Sequence, residues 1–223
     1  MHGARGDVTL DSSPRRKYIT TSYMEMIIMA VCGIGVNDAD YNVVRYRNYY
    51  DENGKRIKSK EWECPFYRRW QNMLTRCYSP SSLKKYPTYT DCIVCDEWLV
   101  FSNFKAWMEK QDWEGKHLDK DLLVKGNKQY CPSTCVFIDS KINTFLQMPR
   151  RTNGLPDGVS NHSAGKYQVH CNDPFTGKRI YIGLYDSIED AHLAWQASKR
   201  NHAIALAEAE TDDRIKQALL NRY

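Results

Sequence analysis

Between Lys166 and Tyr185 the side chains alternate between apolar and polar, and that period of two limits what this part of the chain can become. Successive side chains of a strand point to opposite faces, so alternation marks a half-buried strand. Lys166–Cys171 and Arg179–Tyr185 are two such runs, and the turn-forming segment 172–178 (NDPFTGK) separates them, which predicts a hairpin. Unbroken alternation puts Tyr167, Val169, Cys171, Ile180, Ile182 and Leu184 on one face. Lys166, Gln168, His170, Arg179, Tyr181 and Tyr185 fall on the other. The apolar face needs a cover. Ser187 with Asp190 three residues later reads as a capping box. Ala191, Ala194, Trp195, Ser198, His202 and Ala205 then make a stripe of mostly small residues at helical spacing, suited to lying close on a thin sheet.

The polar face has the inventory of a nucleic-acid-reading surface, and a two-stranded ribbon fits the major groove of B-DNA. An ordinary solvated sheet face is the alternative. The net charge of +5 and pI of about 8.7 favour a polyanionic partner. Residues 151–223, however, carry 9 Lys/Arg against 9 Asp/Glu, so contact there must come from local geometry and not bulk charge.

Upstream, residues 37–63 are polar and Tyr-rich, with a turn at 51–54 between two extended segments. Pro65 opens a helix whose buried face holds Phe66, Trp70, Met73, Leu74 and Cys77. Arg68, Arg69 and Arg76 lie on its other side, available to phosphates or simply solvated. Residues 79–89 read as a loop. A second helix near 96–110 turns Trp98, Phe101, Phe104, Trp107 and Met108 inward. The segment 148–157 (MPRRTNGLPD) reads as a linker. Three regions follow: an extension with an apolar strand over 1–36, a first domain over 37–150 and a second over 151–223. Residues 1–23 look like a polar extension, and Met24, Met26 and Met29 are further candidate starts. The apolar run 26–36 is shorter than the roughly 20 residues that span a bilayer, so it is expected to be a buried strand ending at Gly33-Ile34-Gly35. No credible export signal precedes the eight cysteines, and a cytoplasmic location without membrane contact is expected.

Residues 117–143 (HLDKDLLVKGNKQYCPSTCVFIDSKIN) carry the candidate chemistry. Leu118–Leu123 and Thr134–Ile138 are strand-like, 125–128 is a loop, and Asp139-Ser140 caps a helix containing Asn143. Strand, loop, strand, helix is the order of a ββα-metal site. Such a site takes an acidic ligand late in the first strand and a second ligand from the helix, holding one divalent ion beside a phosphate. Asp119 and Asn143 fill those roles, with Mg²⁺ or another divalent cation suited to oxygen ligands. Asp121 points to the same side as Asp119, and His117 lies two residues before it on the same strand face. The thiol pairs Cys92/Cys95 and Cys131/Cys135 fit a tetrahedral structural Zn²⁺. Cys77 is an alternative to Cys131, and buried reduced thiols are the alternative to any metal. The chain has no P-loop, dinucleotide fingerprint, HExxH or nucleophilic triad.

Three segments, 67–78 (YRRWQNMLTRCY), 92–107 (CIVCDEWLVFSNFKAW) and 118–137 (LDKDLLVKGNKQYCPSTCVF), resemble HNH homing endonucleases of phages and mobile elements. Residues 154–207 resemble the ethylene-response-factor DNA-binding domain through Gly158-Val159, Tyr167, Ile182-Gly183 and the helix start at Asp186–Ala191. The resemblance implies an α+β chain: a ββα-metal nuclease unit, then three antiparallel strands on one helix that read double-stranded DNA. It implies metal-dependent phosphodiester hydrolysis. Two departures stand out. HNH sites place His directly after the first Asp, where this chain has Lys120, so His117 and Lys120 are both candidate bases. The ethylene-response-factor face is dominated by Arg and Trp, where this one carries Lys, Gln, His and Tyr. A catalytically inactive DNA-binding protein on a decayed nuclease scaffold is the second reading, and a scaffold for protein partners the third.

Overall fold

A proline at the first helical position fixes φ where a helix needs it, and Pro65 starts the helix on which the N-terminal half is built. In the computed structural model, which describes residues 30–147, 154–163 and 165–223, this helix α1 spans Pro65–Tyr78 and buries Tyr67, Trp70, Met73, Leu74 and Cys77. Ahead of it, β1 (Val44–Tyr50) and β2 (Arg56–Glu63) pair antiparallel about the 51–54 turn, with a bulge at Arg45/Tyr46. The segment 79–89 is more ordered than a loop. It forms a short helix α2 (Pro80–Lys85) and a 3₁₀ turn at Pro87–Tyr89, each begun by a proline. The predicted helix near 96–110 is broken in two, because Val100 is extended. A 3₁₀ turn at Asp96–Leu99 precedes α3 (Phe101–Met108). Val100 leaves the helix to bridge Val36. Trp70 and Trp98 meet in the resulting core, the indole N–H of Trp70 donating to the Trp98 carbonyl at 2.7 Å.

The strand expected over 26–36 is not one where it can be seen; residues 26–29 lie outside the described part. Val31 bridges Gly35 around a tight turn with positive φ at Cys32 and Gly33. Gly35 lies flat on Trp70 and Leu74, where a Cβ would overlap the Leu74 side chain. No helix among the described residues is long and apolar enough to cross a membrane.

The candidate segment folds as β4 (His117–Asp119), a bend, β5 (Gln129–Tyr130), β6 (Val136–Ile138) and α4 (Ser140–Leu146). β4 and β6 pair antiparallel, with Asp119 opposite Val136. β5 runs parallel to the two-residue β3 (Ile93–Val94). The first strand ends at Asp119 instead of Leu123, because the Asp119 carboxylate captures the next two free backbone N–H groups and turns the chain. The architecture is a mixture of helices with small, mostly antiparallel sheets.

The C-terminal sheet has the order β7 (Val159–Asn161), β8 (Tyr167–Asn172) and β9 (Arg179–Tyr185), all antiparallel. Helix α5 (Ile188–Ala209) begins with the predicted cap, the Ser187 hydroxyl accepting from the Asp190 N–H at 3.0 Å. Its first half, Ala191 and Trp195, covers the sheet. Gly158 has φ +79°, and a Cβ there would run into the Trp195 indole, so glycine is required twice over. The stripe then departs from expectation. Lys199, Ala203, Leu206 and Ala207 are buried in place of Ser198 and Ala205. The helix outruns its sheet, and its second half packs with α6 (Asp213–Leu220) on Leu122, Val136, Ile138, Ile142 and Phe145. Residues on both sides of the expected 150/151 boundary therefore share one core. Of the linker 148–157, residues 148–153 lie outside the described part.

Candidate functional site

Helix α1 lies alongside the β4–α4 unit, and between them opens a polar cleft of about 230 Å³. β4 and its bend contribute His117, Asp119, Lys120 and Asp121, and α4 contributes Asn143 and Gln147. From α1 come Arg69, Asn72 and Arg76, at helical spacings of three and four that share one side. Tyr89 and Tyr130 close the end, with the Arg76 guanidinium 5.9 Å from the Tyr89 ring. All four expected catalytic positions thus line one cleft. Pattern reading had placed Arg69 and Arg76 on the free side of α1 but could not bring them to Asp119, because only tertiary packing does so. Tyr89, Tyr130 and Gln147 carried no sequence signal.

Asp119 is held rigidly. Its Oδ1 accepts from the backbone N–H groups of Asp121 (2.9 Å) and Leu122 (2.7 Å). Burial raises its pKa, the Asp121 charge adds to that, and the two N–H donors oppose it. Among the described residues Oδ2 has no donor. Lys120 is only 8% exposed, and its ammonium donates to the Asn127 carbonyl (3.0 Å) and to Asp121 (3.2 Å). Burial works against this charge, yet the Asp121 carboxylate outweighs it and the pKa is raised. Lys120 is therefore a fixed cation, the opposite of what a general base requires. It ties the bend to the 125–128 loop, where the Asn127 amide answers by donating to the Lys120 and Gln129 carbonyls at 2.6 Å each. His117 is exposed at the cleft edge.

The expected reading face is partly redrawn. A bulge at Val169/His170 shifts the register, so that Gln168 faces Leu184, His170 faces Tyr181 and Asn172 faces Arg179. Gln168, His170, Arg179 and Tyr181 stay together on the outer face, the His170 and Tyr181 rings 5.5 Å apart edge to face. Tyr185 does not. It pairs with Tyr167 and packs into the core under α5, while Leu184 moves outward. One extra residue in a strand exchanges the faces beyond it. Lys166, at the rim, is paired with Asp186 at 2.8 Å. Burial, and then Arg179, lower the pKa of His170, keeping it neutral near pH 7. A second, larger cleft of about 640 Å³ runs along the seam between α4 and the β8–β9 turn, with His170 and Arg179 on its border.

The four expected zinc ligands fall into separate neighbourhoods. Cys131 is near enough to both Cys95 and Cys135 for their charges to interact, while Cys92 neighbours Cys77 and Lys120. Cys135 is enclosed and its thiol is pushed up to about 12 by burial. Among the described residues no three His, Cys, Asp or Glu side chains form a metal-holding group. Comparison with family models, curated proteins and solved structures found no match.

Proposed function

We propose that this protein is a metal-dependent endonuclease of double-stranded DNA, built on a ββα-metal site, with the β7–β9 sheet contributing to target recognition. The observation that carries the reading is the convergence of Asp119, Asn143 and His117 with Arg69 and Arg76 in one cleft. A carboxylate, an amide and room for solvent suit Mg²⁺, which is usually held by one or two carboxylates with water and phosphate oxygens filling the rest. Asp119 and Asn143 would hold that ion, which when bound polarises the phosphate and acidifies a water.

The rest follows from the chain's own groups. Two backbone donors fix the Asp119 carboxylate, so it needs little reorganisation to act. Arg69 and Arg76 supply planar, permanently charged donors that match phosphate oxygens. His117, two residues from Asp119 on the same strand face, is the candidate general base. In an assay on plasmid DNA, cleavage should require a divalent cation. Asp119→Asn should lower it more than about 100-fold, beyond what loss of a group that merely supports a metal ligand costs. DNA affinity should stay within a few-fold of wild type. Undiminished cleavage by Asp119→Asn would overturn the assignment.

Lys120 favours a second reading, an inactive DNA binder, because the position after Asp119 is locked in an ion pair. Tight DNA binding without cleavage in any divalent metal would select it. A structural zinc on Cys92, Cys95, Cys131 and Cys135 requires their two neighbourhoods to merge. Metal analysis of the purified chain tests this, with about one zinc per chain expected for a closed four-thiolate site.

A further inference from the structure

An isolated two-stranded hairpin is marginal in water, yet β1 and β2 project with no other element packed extensively on them. Aromatic side chains stay in solvent along both strands: Tyr46, Tyr49 and Trp62 remain partly exposed, and Tyr50 is 71% exposed. The register sorts the ribbon into two faces. Tyr46 lies opposite Lys60, Asn48 opposite Lys58 and Tyr50 opposite Arg56. Those six residues make one continuous face of cations, phenols and an amide with no carboxylate. The other face carries the apolar Ile57 and Trp62, and Arg45 is stacked on Trp62 at 4.9 Å.

The charges on the first face are available to different degrees. Lys60 is tied to Glu63 at 3.0 Å, but among the described residues neither Arg56 nor Lys58 has a carboxylate partner. Lys58 lies over the Tyr46 ring at 4.0 Å, which orders its ammonium without neutralising it. The base of the ribbon is anchored to α1, where Arg68 holds Glu63 at 2.6 Å. Arg69, Asn72 and Arg76 then lead along α1 into the Asp119 cleft, about 10 Å from the first to the last at 1.5 Å per residue. Basic and hydrogen-bonding groups thus occur on the ribbon and again along α1 at the candidate site, with Glu63, paired to Lys60 and Arg68, between them. Unpaired cations interleaved with exposed tyrosines match a polyanion presenting phosphates and base edges. With only Tyr rings and no aliphatic side chain, that face does not match an apolar partner.

We infer that the β1–β2 ribbon is a second duplex-DNA contact, its Tyr46–Asn48–Tyr50 and Arg56–Lys58–Lys60 face gripping the duplex whose phosphate occupies the Asp119 cleft. The inference rests on the nuclease reading above. The test uses the full chain, a 30-base-pair duplex and EDTA to prevent cutting, with affinity measured across a salt series. Arg56→Gln/Lys58→Gln removes two charges from the proposed face, and Arg45→Gln/Arg47→Gln removes two from the opposite one. Each lost phosphate contact lowers the slope of log affinity against log salt by about 0.9. The first variant should therefore lose nearly two units of slope and bind at least about tenfold more weakly at moderate salt, and the second should match wild type. Equal losses in both variants, or none in either, would overturn the ribbon contact while leaving wild-type binding and the nuclease reading intact. Failure of the wild-type chain to bind duplex at low salt would overturn both. Thermal melting of each variant separates lost contact from lost folding.

Discussion

At the scale of the residue, the proposed function turns on which neighbour of Asp119 would move protons and which holds structure. Lys120 is buried with two hydrogen-bond partners and a raised pKa, so it serves as a strut. His117→Ala should lower cleavage by roughly 10²–10⁴, the range of a lost general acid or base, with unchanged melting. Lys120→Met should instead lower stability by about 1–3 kcal/mol, since it leaves the half-buried Asn127 carbonyl without its donor, and its activity at low temperature should recover most of the wild-type rate. The reverse outcome, an inert His117→Ala and a dead but stably folded Lys120→Met, would reassign the base. That Asp119 and Asn143 would line one cleft was legible in the sequence, because strand, loop, strand, helix brings the end of the first strand beside the helix. The status of Lys120 was not, because its protonation depends on an Asp121 contact and a loop carbonyl that no spacing rule anticipates.

At the scale of the element, the periods of 2 and 3.6 located α1, β8, β9 and the start of α5. Three features escaped that reading for physical reasons. Val100 breaks a helix that is continuous in pattern, since the Leu99 carbonyl and the Phe101 N–H on either side of it are spent on Val36. The proline-rich 79–89 segment folds into short turns because proline initiates helices as readily as it ends them. The β8–β9 bulge reverses the faces of Leu184 and Tyr185, and strict alternation cannot foresee an inserted residue. The last correction is testable. Arg179→Ala and Tyr181→Ala should weaken DNA binding with little change in stability, the arginine also lowering the salt slope by about one. Tyr185→Ala should do the opposite, destabilising the chain by about 1–3 kcal/mol as a half-buried aromatic packed on the core and leaving the salt slope alone. Loss of binding without loss of stability in Tyr185→Ala would restore the unbulged register.

At the scale of the whole molecule, α5 serves two cores. Trp195 covers the sheet, Leu206 and Ala207 pack under α4 with Ile215 and Leu219 of α6, and Lys199 sits between, 6% exposed. Its ammonium donates to the Phe145 carbonyl at the end of α4 (2.7 Å) and lies 3.6 Å from the Phe145 ring. Tyr223 joins the same junction, packing on Phe145 and Trp195, and Arg200 binds its carbonyl at 2.7 Å. Leu219→Ala should therefore cost about 2–5 kcal/mol and lower the melting of both halves together. Two separate transitions, with only one moved, would show that the halves fold independently. The proline- and arginine-rich segment at 148–157 reads as a boundary in the sequence, while the packing of α4, α5 and α6 joins residues on both sides of it in one core. A helix built into both halves also acts as a ruler. Under the proposed function, the bases touched by β8 and β9 and the phosphate in the Asp119 cleft are held at a set separation by a rigid rod. The break should then fall a constant number of base pairs from the bound sequence, and a recombinant that exchanged the recognition sheet without the whole of α5 and α6 would lose its measure of where to cut.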